Sequence, residues 1–246
     1  MPSGFGRCAA WICEPRRAHS PEKWYLGLLQ MKTRDKIKLK ARDMFNEQGL
    51  NAVSSRHVSE ALGISYGNLC YHFPKKDDLI MQLYLDMQAE LDEKVANLRA
   101  EIFRFDFMIR SLRAMLTVLD KYRFIYLHLP DLIRRFPKAK VHAQRQYQRR
   151  IRICREIYDF LITAGYLKPE RHPGHYDKLA HGVLMLINSW VVDAELFYTG
   201  EHADKIDHYL ELIYRVVSAS LTPRGSEAFM RVYNDPELRG EEWLKG

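Results

Sequence analysis

A single glycine, Gly63, does most to limit the folds that are open to this chain of 246 residues. It separates two short segments whose apolar residues have helical spacing, and glycine adopts the left-handed backbone of a helix end at the lowest cost. Ser54 precedes the first segment and Ser65 precedes the second, and serine is a good N-cap residue. Pro74 ends the second segment, because proline cannot continue a helix. The pattern predicts two short helices joined by a tight turn, which is a helix-turn-helix.

The second short helix has a distinctive outward face. Once Leu69 and Phe73 are assigned to its buried side, the residues that remain outside are Tyr66, Gly67, Asn68, Tyr71 and His72. Short, polar-tipped and aromatic side chains suit a groove that is lined by phosphates and base edges. A glycine inside a helix costs about 1 kcal/mol relative to alanine, and the close approach of a partner's backbone would explain Gly67. The sequence therefore predicts contact with DNA.

The residues around this motif resemble the signature of the TetR/AcrR family of bacterial transcriptional regulators. The matching positions lie between residues 32 and 80: Phe45, Gly49, Glu60, Ala61, Gly63, Ile64, Ser65, Gly67, Leu69, Tyr71, His72, Phe73, Pro74, Lys76, Asp78 and Leu79. Tyr66, Asn68 and Cys70 depart from the commonest family pattern, and these departures concern which operator is bound. The alternative is a three-helix packing unit that matches the signature by chance.

The resemblance implies an all-α, dimeric, ligand-responsive regulator, usually a repressor. An N-terminal three-helix DNA-binding domain would precede a helical ligand-binding and dimerisation domain. The expected partners are a near-palindromic DNA operator, a second copy of the chain and a small-molecule effector that is apolar or anionic. No cofactor, metal ion, catalytic residue or membrane is expected. The residues expected at DNA are Ser54, Arg56, Ser65, Tyr66, Gly67, Asn68, Tyr71, His72 and Lys76, with Ser54, Arg56 and Lys76 on phosphates.

Four segments are predicted along the chain. Residues 1–30 mix Pro, Gly, Trp and Cys without a helical period, and we expect a non-native or disordered extension, with Met31 as the natural start. The alternative is a basic arm that reaches DNA through Arg7, Arg16, Arg17 and Lys23. Residues 31–78 would form the DNA-binding domain, 79–221 the helical domain and 222–246 a C-terminal tail. A helix over residues 75–100 would connect the two domains, and the helix after it would run from 105 to 129 and be closed by Pro130.

A ligand pocket is expected in the helical domain, with aromatic walls and few polar groups. The residues chosen to line it are Tyr122, Tyr126, Tyr147 and Trp190, with a possible arginine from residues 145–155. The alternative for each aromatic residue is a place in the core.

Two helices near the C-terminus, over residues 179–198 and 206–221, are expected to hold a dimer. The first is apolar nearly all round, so it needs cover on two sides. The interface residues predicted on this pair are Val183, Leu186, Trp190, Ile213 and Val217. The alternative is a purely internal core.

A basic run extends from Arg134 to Arg155, with no acidic residue between Asp131 and Glu156. A solvated helix face is one interpretation. A site for an anionic ligand, such as an acyl-CoA or another phosphorylated metabolite, is the other.

Composition is consistent with DNA binding without requiring it. The formal net charge is +7, and the four cysteines are scattered, so reduced thiols in the cytoplasm are expected. No apolar run approaches the length of a membrane span. No HxxxH pair, phosphate-binding loop or dinucleotide fingerprint is present, which argues against a helical enzyme. A nucleoid-type protein that binds DNA without regard to sequence remains the other alternative.

Overall fold

The computed structural model of the chain describes residues 32–100 and 105–234, and regular structure in these ranges is helical apart from one isolated β-bridge between Leu167 and Leu221. The all-α prediction is confirmed. A 3-10 helix at His202–Asp204 comes before the tenth helix. The α-helices of the described residues are α1 Thr33–Gln48, α2 Ser55–Ala61, α3 Tyr66–His72, α4 Lys76–Ala100, α5 Phe105–Lys121, α6 Arg123–Leu127, α7 Leu129–Arg135, α8 Pro137–Thr163, α9 His175–Phe197, α10 Lys205–Ser218 and α11 Pro223–Tyr233.

Helices α1 to α3 form the predicted helix-turn-helix unit. The Ser54 hydroxyl accepts a hydrogen bond from the amide of His57 at 3.2 Å, and the His57 ring accepts one from the amide of Ser54 at 3.3 Å. These reciprocal bonds form a capping box that fixes the start of α2. Gly63 has a φ of 65°, so the turn uses the left-handed backbone expected of it. The Ser65 hydroxyl then accepts the amide of Asn68 at 3.1 Å and caps α3.

Helix α4 connects this unit to the rest of the molecule. The Asp78 carboxylate accepts the amide of Lys75 at 2.9 Å near its start. The ammonium group of Lys38 on α1 donates to Asp86 on α4 at 2.8 Å. Farther along, α4 packs against α5. One helix is therefore fixed to both parts of the chain.

A second connection joins α1 to α6. The Asn46 side chain donates to the carbonyl of Lys121 at 2.9 Å and accepts the amide of Phe124 at 3.1 Å. The rings of Phe45 and Phe124 lie 5.2 Å apart. Asn46 satisfies two backbone groups at the break between α5 and α6. A movement of α6 must therefore displace the end of α1.

The helix predicted over residues 105–129 is wrong in its extent. The structure breaks the segment at Tyr122 and again at His128, which gives α5, α6 and α7. Pro130 lies in the first turn of α7 instead of ending a helix. Proline is well tolerated there, because its missing amide hydrogen would have had no partner in the helix.

The predicted tail over residues 222–246 also needs correction, because its described part contains α11. Phe229 of this helix stacks on Tyr214 of α10 with ring centroids 3.7 Å apart. The Thr222 hydroxyl accepts the amide of Gly225 at 3.1 Å, and a Cβ atom at Gly225 would collide with the carbonyl oxygen of Tyr166. The packed body therefore extends to Tyr233. The predicted extension over residues 1–30 lies outside the described residues.

Helix α9 is long and apolar enough to cross a membrane by length and composition alone, with a mean hydropathy of 1.2. The core helix of a globular protein meets the same criterion. Here α9 packs against α6, α8 and α10 and buries Tyr176, Leu184 and Ile187. We therefore interpret it as a core helix.

Candidate nucleic-acid interface and ligand cavity

Helix α3 presents the outward face that the sequence predicts. Leu69 and Phe73 are buried, whereas the side chain of Tyr71 is 84 % exposed and that of Tyr66 is 47 % exposed. Gly67 and Asn68 are exposed as well, and His72 is half-buried with its ring 5.2 Å from that of Tyr71. A tyrosine this exposed, next to the last residue of a short, capped helix, has no role in the core. The face is therefore available to a partner.

The polar groups on this face are hydrogen-bond donors. A hydrogen bond with Cys70 raises the pKa of the Tyr66 phenol above its ordinary value. The guanidinium carbon of Arg56 lies 5.5 Å from the centroid of the Tyr66 ring, and Arg56 is exposed. Ser54 and Ser65 use their oxygen atoms as helix caps, and each hydroxyl hydrogen can still be donated to an acceptor.

The position of the Lys76 ammonium group differs from the predicted contact with a DNA phosphate. Its ammonium group donates to the carbonyl of Leu50 at 2.5 Å and lies 5.5 Å from the centroid of the Phe45 ring. Burial lowers the pKa of Lys76. This lysine joins the start of α4 to the loop after α1, and its charge faces the protein.

Two basic residues beside α3 were missed by the sequence analysis. Lys75 is exposed, and its position directly after Pro74 was the signal that could have identified it. Arg34 has its guanidinium carbon 5.2 Å from the centroid of the Phe73 ring and donates to Gln82 at 2.9 Å. It thus lies against the end of α3, a place that spacing along α1 does not reveal.

The helical domain contains an apolar cavity of about 170 Å³ between α4, α5, α8, α9, α10 and α11. Of its described lining residues, Arg150 is the one that carries a charge. Burial raises the pKa of Cys154 to about 11 and that of Tyr158 well above its usual value, so both stay neutral. The lining residues are Val95, Met108, Ile109, Leu112, Met115, Arg150, Ile153, Cys154, Ile157, Tyr158, Leu161, Leu167, Val183, Leu184, Ile187, Leu210, Ile213, Tyr214, Val217, Leu221 and Phe229.

The four residues predicted at the ligand lie outside this apolar cavity. Tyr126 and Tyr147 line a second, more polar cavity of about 310 Å³, which also includes Arg150. Tyr122 lies at the junction of α5 with α1, with the Arg42 guanidinium 5.8 Å from its ring centroid. Trp190 is 2 % exposed and packs on Tyr209 in the core. Tyr122 and Trp190 thus fill contacts between helices, whereas Tyr126 and Tyr147 line a cavity other than the apolar one.

The basic run separates into residues that form ion pairs and residues that are exposed to solvent. Arg149 pairs with Asp92 at 3.1 Å, and Arg155 pairs with Asp159 at 3.1 Å and Glu170 at 3.3 Å. Lys138, Lys140, Arg145 and Arg152 are exposed, which fits a solvated helix face. Arg150 belongs to neither group, because it points between the two cavities.

The predicted dimer residues lie mostly inside the subunit. Val183, Trp190 and Ile213 are buried in its core, and Leu186 and Val217 are half-buried. The alternative of an internal core therefore holds for the three buried residues. The same two helices expose a different set of large apolar side chains: Met185, Val192, Leu196 and Phe197 on α9, and Leu212 and Val216 on α10. We call this set the exposed apolar face.

Solved structures and family models match nearly the whole described length of the chain. A regulator of the TetR family from Marinobacter aquaeolei VT8 has 23 % identity and a TM-score of 0.74, with 83 % of this chain and 100 % of the other covered. The ketosteroid transcriptional regulator KstR2 of Mycobacterium tuberculosis has 17 % identity and a TM-score of 0.54, with coverage of 78 % and 96 %. A regulator from Saccharomonospora viridis, in complex with choline, has 20 % identity and a TM-score of 0.57, with coverage of 76 % and 96 %.

No curated protein matches the sequence. The family model for N-terminal domains of the bacterial regulatory proteins of the tetR family matches residues 39–83. A second model, described as a bacterial transcriptional repressor, matches residues 86–229, which is more than half of the chain. The chain therefore belongs to the TetR family of bacterial transcriptional regulators.

Proposed function

We propose that the protein is a homodimeric repressor that binds a near-palindromic operator in the bacterial cytoplasm and is released from it by a small molecule. It acts by binding and not by catalysis. The observation that carries this proposal is the face of α3, where Tyr71 and Tyr66 are exposed on a rigidly capped helix of a TetR-family domain. A helix of this kind enters the major groove, and its side chains contact base edges.

The dimer is supported by the exposed apolar face on α9 and α10. Helices α9 and α10 pack against each other, and several large apolar side chains exposed on packed helices mark a site of interaction. A twofold axis through this face would present two α3 helices to half-sites about one helical turn apart, or a multiple of it.

Release by a ligand is supported by the position of the cavities. Both are lined by residues of α4, which is fixed to α1 through Lys38 and Asp86. A ligand that binds better to one arrangement of α4 shifts the spacing of the two α3 helices. By reciprocity, operator DNA must weaken the binding of this ligand by the same factor by which the ligand weakens operator binding.

Selection of bound fragments from the source genome tests the operator. The expected result is a small set of promoters that share a near-palindrome. Uniform recovery of fragments would instead support the nucleoid-type alternative and contradict the proposal.

The selected operator then tests α3 itself. Tyr71→Ala should weaken specific binding about tenfold or more without lowering thermal stability, because Tyr71 touches little of the protein. Val141→Ala removes an exposed apolar side chain on α8 and is the control. Anisotropy titrations in which Tyr71→Ala and Val141→Ala bind equally well would exclude Tyr71 from the interface.

A further inference from the structure

Arg150 has unusual surroundings for an arginine in a basic run. Its Nη2 donates to the side-chain oxygen of Gln88 at 3.1 Å, and its Nε is buried without a hydrogen-bond partner among the described residues. Tyr126 lines the same polar cavity as Arg150. The described hydrogen-bond partner of Arg150 is therefore a neutral group. Its neighbour Arg149, by contrast, is paired with a carboxylate, Asp92.

Arg150 lines both cavities. Arg150 is the one charged residue among the described lining residues of the apolar cavity, and the same holds for the polar cavity. A cation at the wall of an apolar chamber is costly unless an anion accompanies it. No acidic side chain within the described part of the chain forms an ion pair with Arg150. The arrangement thus has room for an anion that the chain does not supply.

The size of the apolar cavity limits the rest of the ligand. Its volume is about 170 Å³, and a dry cavity of about 150 Å³ with aliphatic and aromatic walls accommodates benzene. The cavity therefore suits an apolar group of about one aromatic ring or a short branched or linear chain. Cys154 and Tyr158 in its wall are neutral and offer no charge to a ligand.

We propose that the effector is a monoanionic carboxylate whose apolar body fills the apolar cavity and whose carboxylate pairs with Arg150 at the junction of the two cavities. The guanidinium fork can bind both carboxylate oxygens, and its buried Nε supplies a donor that is already desolvated. Gln88 holds the guanidinium in place before the ligand arrives. This inference rests on the proposed function, because it identifies the chemistry of the ligand at that site.

The first experiment compares acids with neutral compounds of the same shape. Calorimetry of the full chain with 3-phenylpropanoate and hexanoate should show binding, and the matching amides should bind at least about tenfold more weakly, because a charge-assisted pair is lost. Equal affinity of acid and amide would overturn the proposal. Failure of both acids to bind would overturn it too.

The second experiment assigns the preference to Arg150. Arg150→Gln should bind acid and amide equally weakly, whereas Arg152→Gln, which removes the same charge from an exposed position on α8, should keep the wild-type preference. A melting curve of each free variant shows whether it is folded. Wild-type preference in a folded Arg150→Gln protein would contradict the proposal. The comparison of acid and amide in the unaltered chain stands even if the variant fails to fold.

Operator binding separates this inference from the proposed function. If the acids bind with the stated preference but leave operator affinity unchanged, the ligand chemistry holds and release by this ligand fails. If other compounds release the operator and the acids do not bind, the inference about the ligand is wrong, and the proposed repressor function still stands.

Discussion

Lys75 and Lys76 are neighbours in the sequence, yet their ammonium groups have different surroundings. Lys75 is exposed beside α3, whereas Lys76 donates to the carbonyl of Leu50. We predict that Lys75→Ala lowers the slope of the salt dependence of operator binding by about one phosphate contact and leaves stability unchanged. Lys76→Ala should cost about 1–2 kcal/mol of unfolding free energy, because it leaves a carbonyl without its partner.

Titrations at several salt concentrations and urea melts of both variants check this pair. Each variant serves as the control for the other, because both remove one positive charge from the same end of α4. A changed salt slope for Lys76→Ala, together with an unchanged one for Lys75→Ala, would reverse the assignment.

The thiol of Cys154 provides a residue-scale test of the cavity wall. Burial raises its pKa to about 11, so at pH 8 only about one molecule in a thousand carries the reactive thiolate. We predict slow alkylation of Cys154 by iodoacetamide in the native protein, with a rate that rises about tenfold per pH unit below pH 11. Mass spectrometry follows this site, and denatured protein is the control. Native alkylation as fast as in denaturant would contradict the burial of this thiol.

At the scale of elements, the two glycines of the helix-turn-helix should respond oppositely to alanine. Gly63 has a φ of 65°, and Gly67 lies inside α3 with no atom closer than 4.0 Å to an added Cβ. Gly63→Ala should therefore destabilise the domain by about 1 kcal/mol through backbone strain. Gly67→Ala should stabilise it by up to about 1 kcal/mol but weaken operator binding, because the new methyl group stands on the exposed face.

Thermal melts and anisotropy titrations of the two variants separate folding from binding. A Gly67→Ala protein that is more stable and binds the operator as tightly as the parent would remove the proposed close approach to DNA.

The same elements show what sequence can and cannot predict. The helix-turn-helix was predictable because its determinants are local: Ser54, Gly63 and Ser65 act on backbone groups within a few residues. The breaks that separate α5, α6 and α7 were not predictable from the sequence. Pro130 is equally compatible with the end of one helix and the first turn of the next, and packing decides between them. Helix α11 has a local start signal in Thr222 and Pro223, but the stacking of Phe229 on Tyr214 that holds it against the body is a tertiary contact.

The candidate sites follow the same division. The exposed residues of α3 were predicted because Leu69 and Phe73 mark the buried side of a short helix. The apolar cavity was not predicted, since empty space among six helices leaves no pattern in a sequence. Val183 and Trp190 were assigned to a dimer because both sides of α9 are apolar, and periodicity cannot say which apolar side meets the subunit's own core.

At the scale of the whole molecule, the exposed apolar face decides between a monomer and a dimer. A charge there would have to be buried without a partner in a twofold interface, so Val216→Glu should yield monomers. Val141 is a valine of similar exposure on α8, with 47 % against 43 % for Val216, and Val141→Glu should leave the dimer intact. Val183→Glu should instead unfold the protein, or cost at least about 3 kcal/mol, because Val183 lines the internal cavity.

Sedimentation velocity and operator titrations on the three variants test whether assembly and recognition are linked. A monomer presents one α3 helix to one half-site, so it loses the contacts of the second half-site together with the dimer. Val216→Glu should therefore lose tight binding to the full operator while its affinity for an isolated half-site stays close to that of Val141→Glu. A folded, dimeric Val216→Glu protein with normal operator affinity would show that this face is not the interface. A monomeric one that still bound the full operator tightly would break the proposed link between the twofold axis and the near-palindrome.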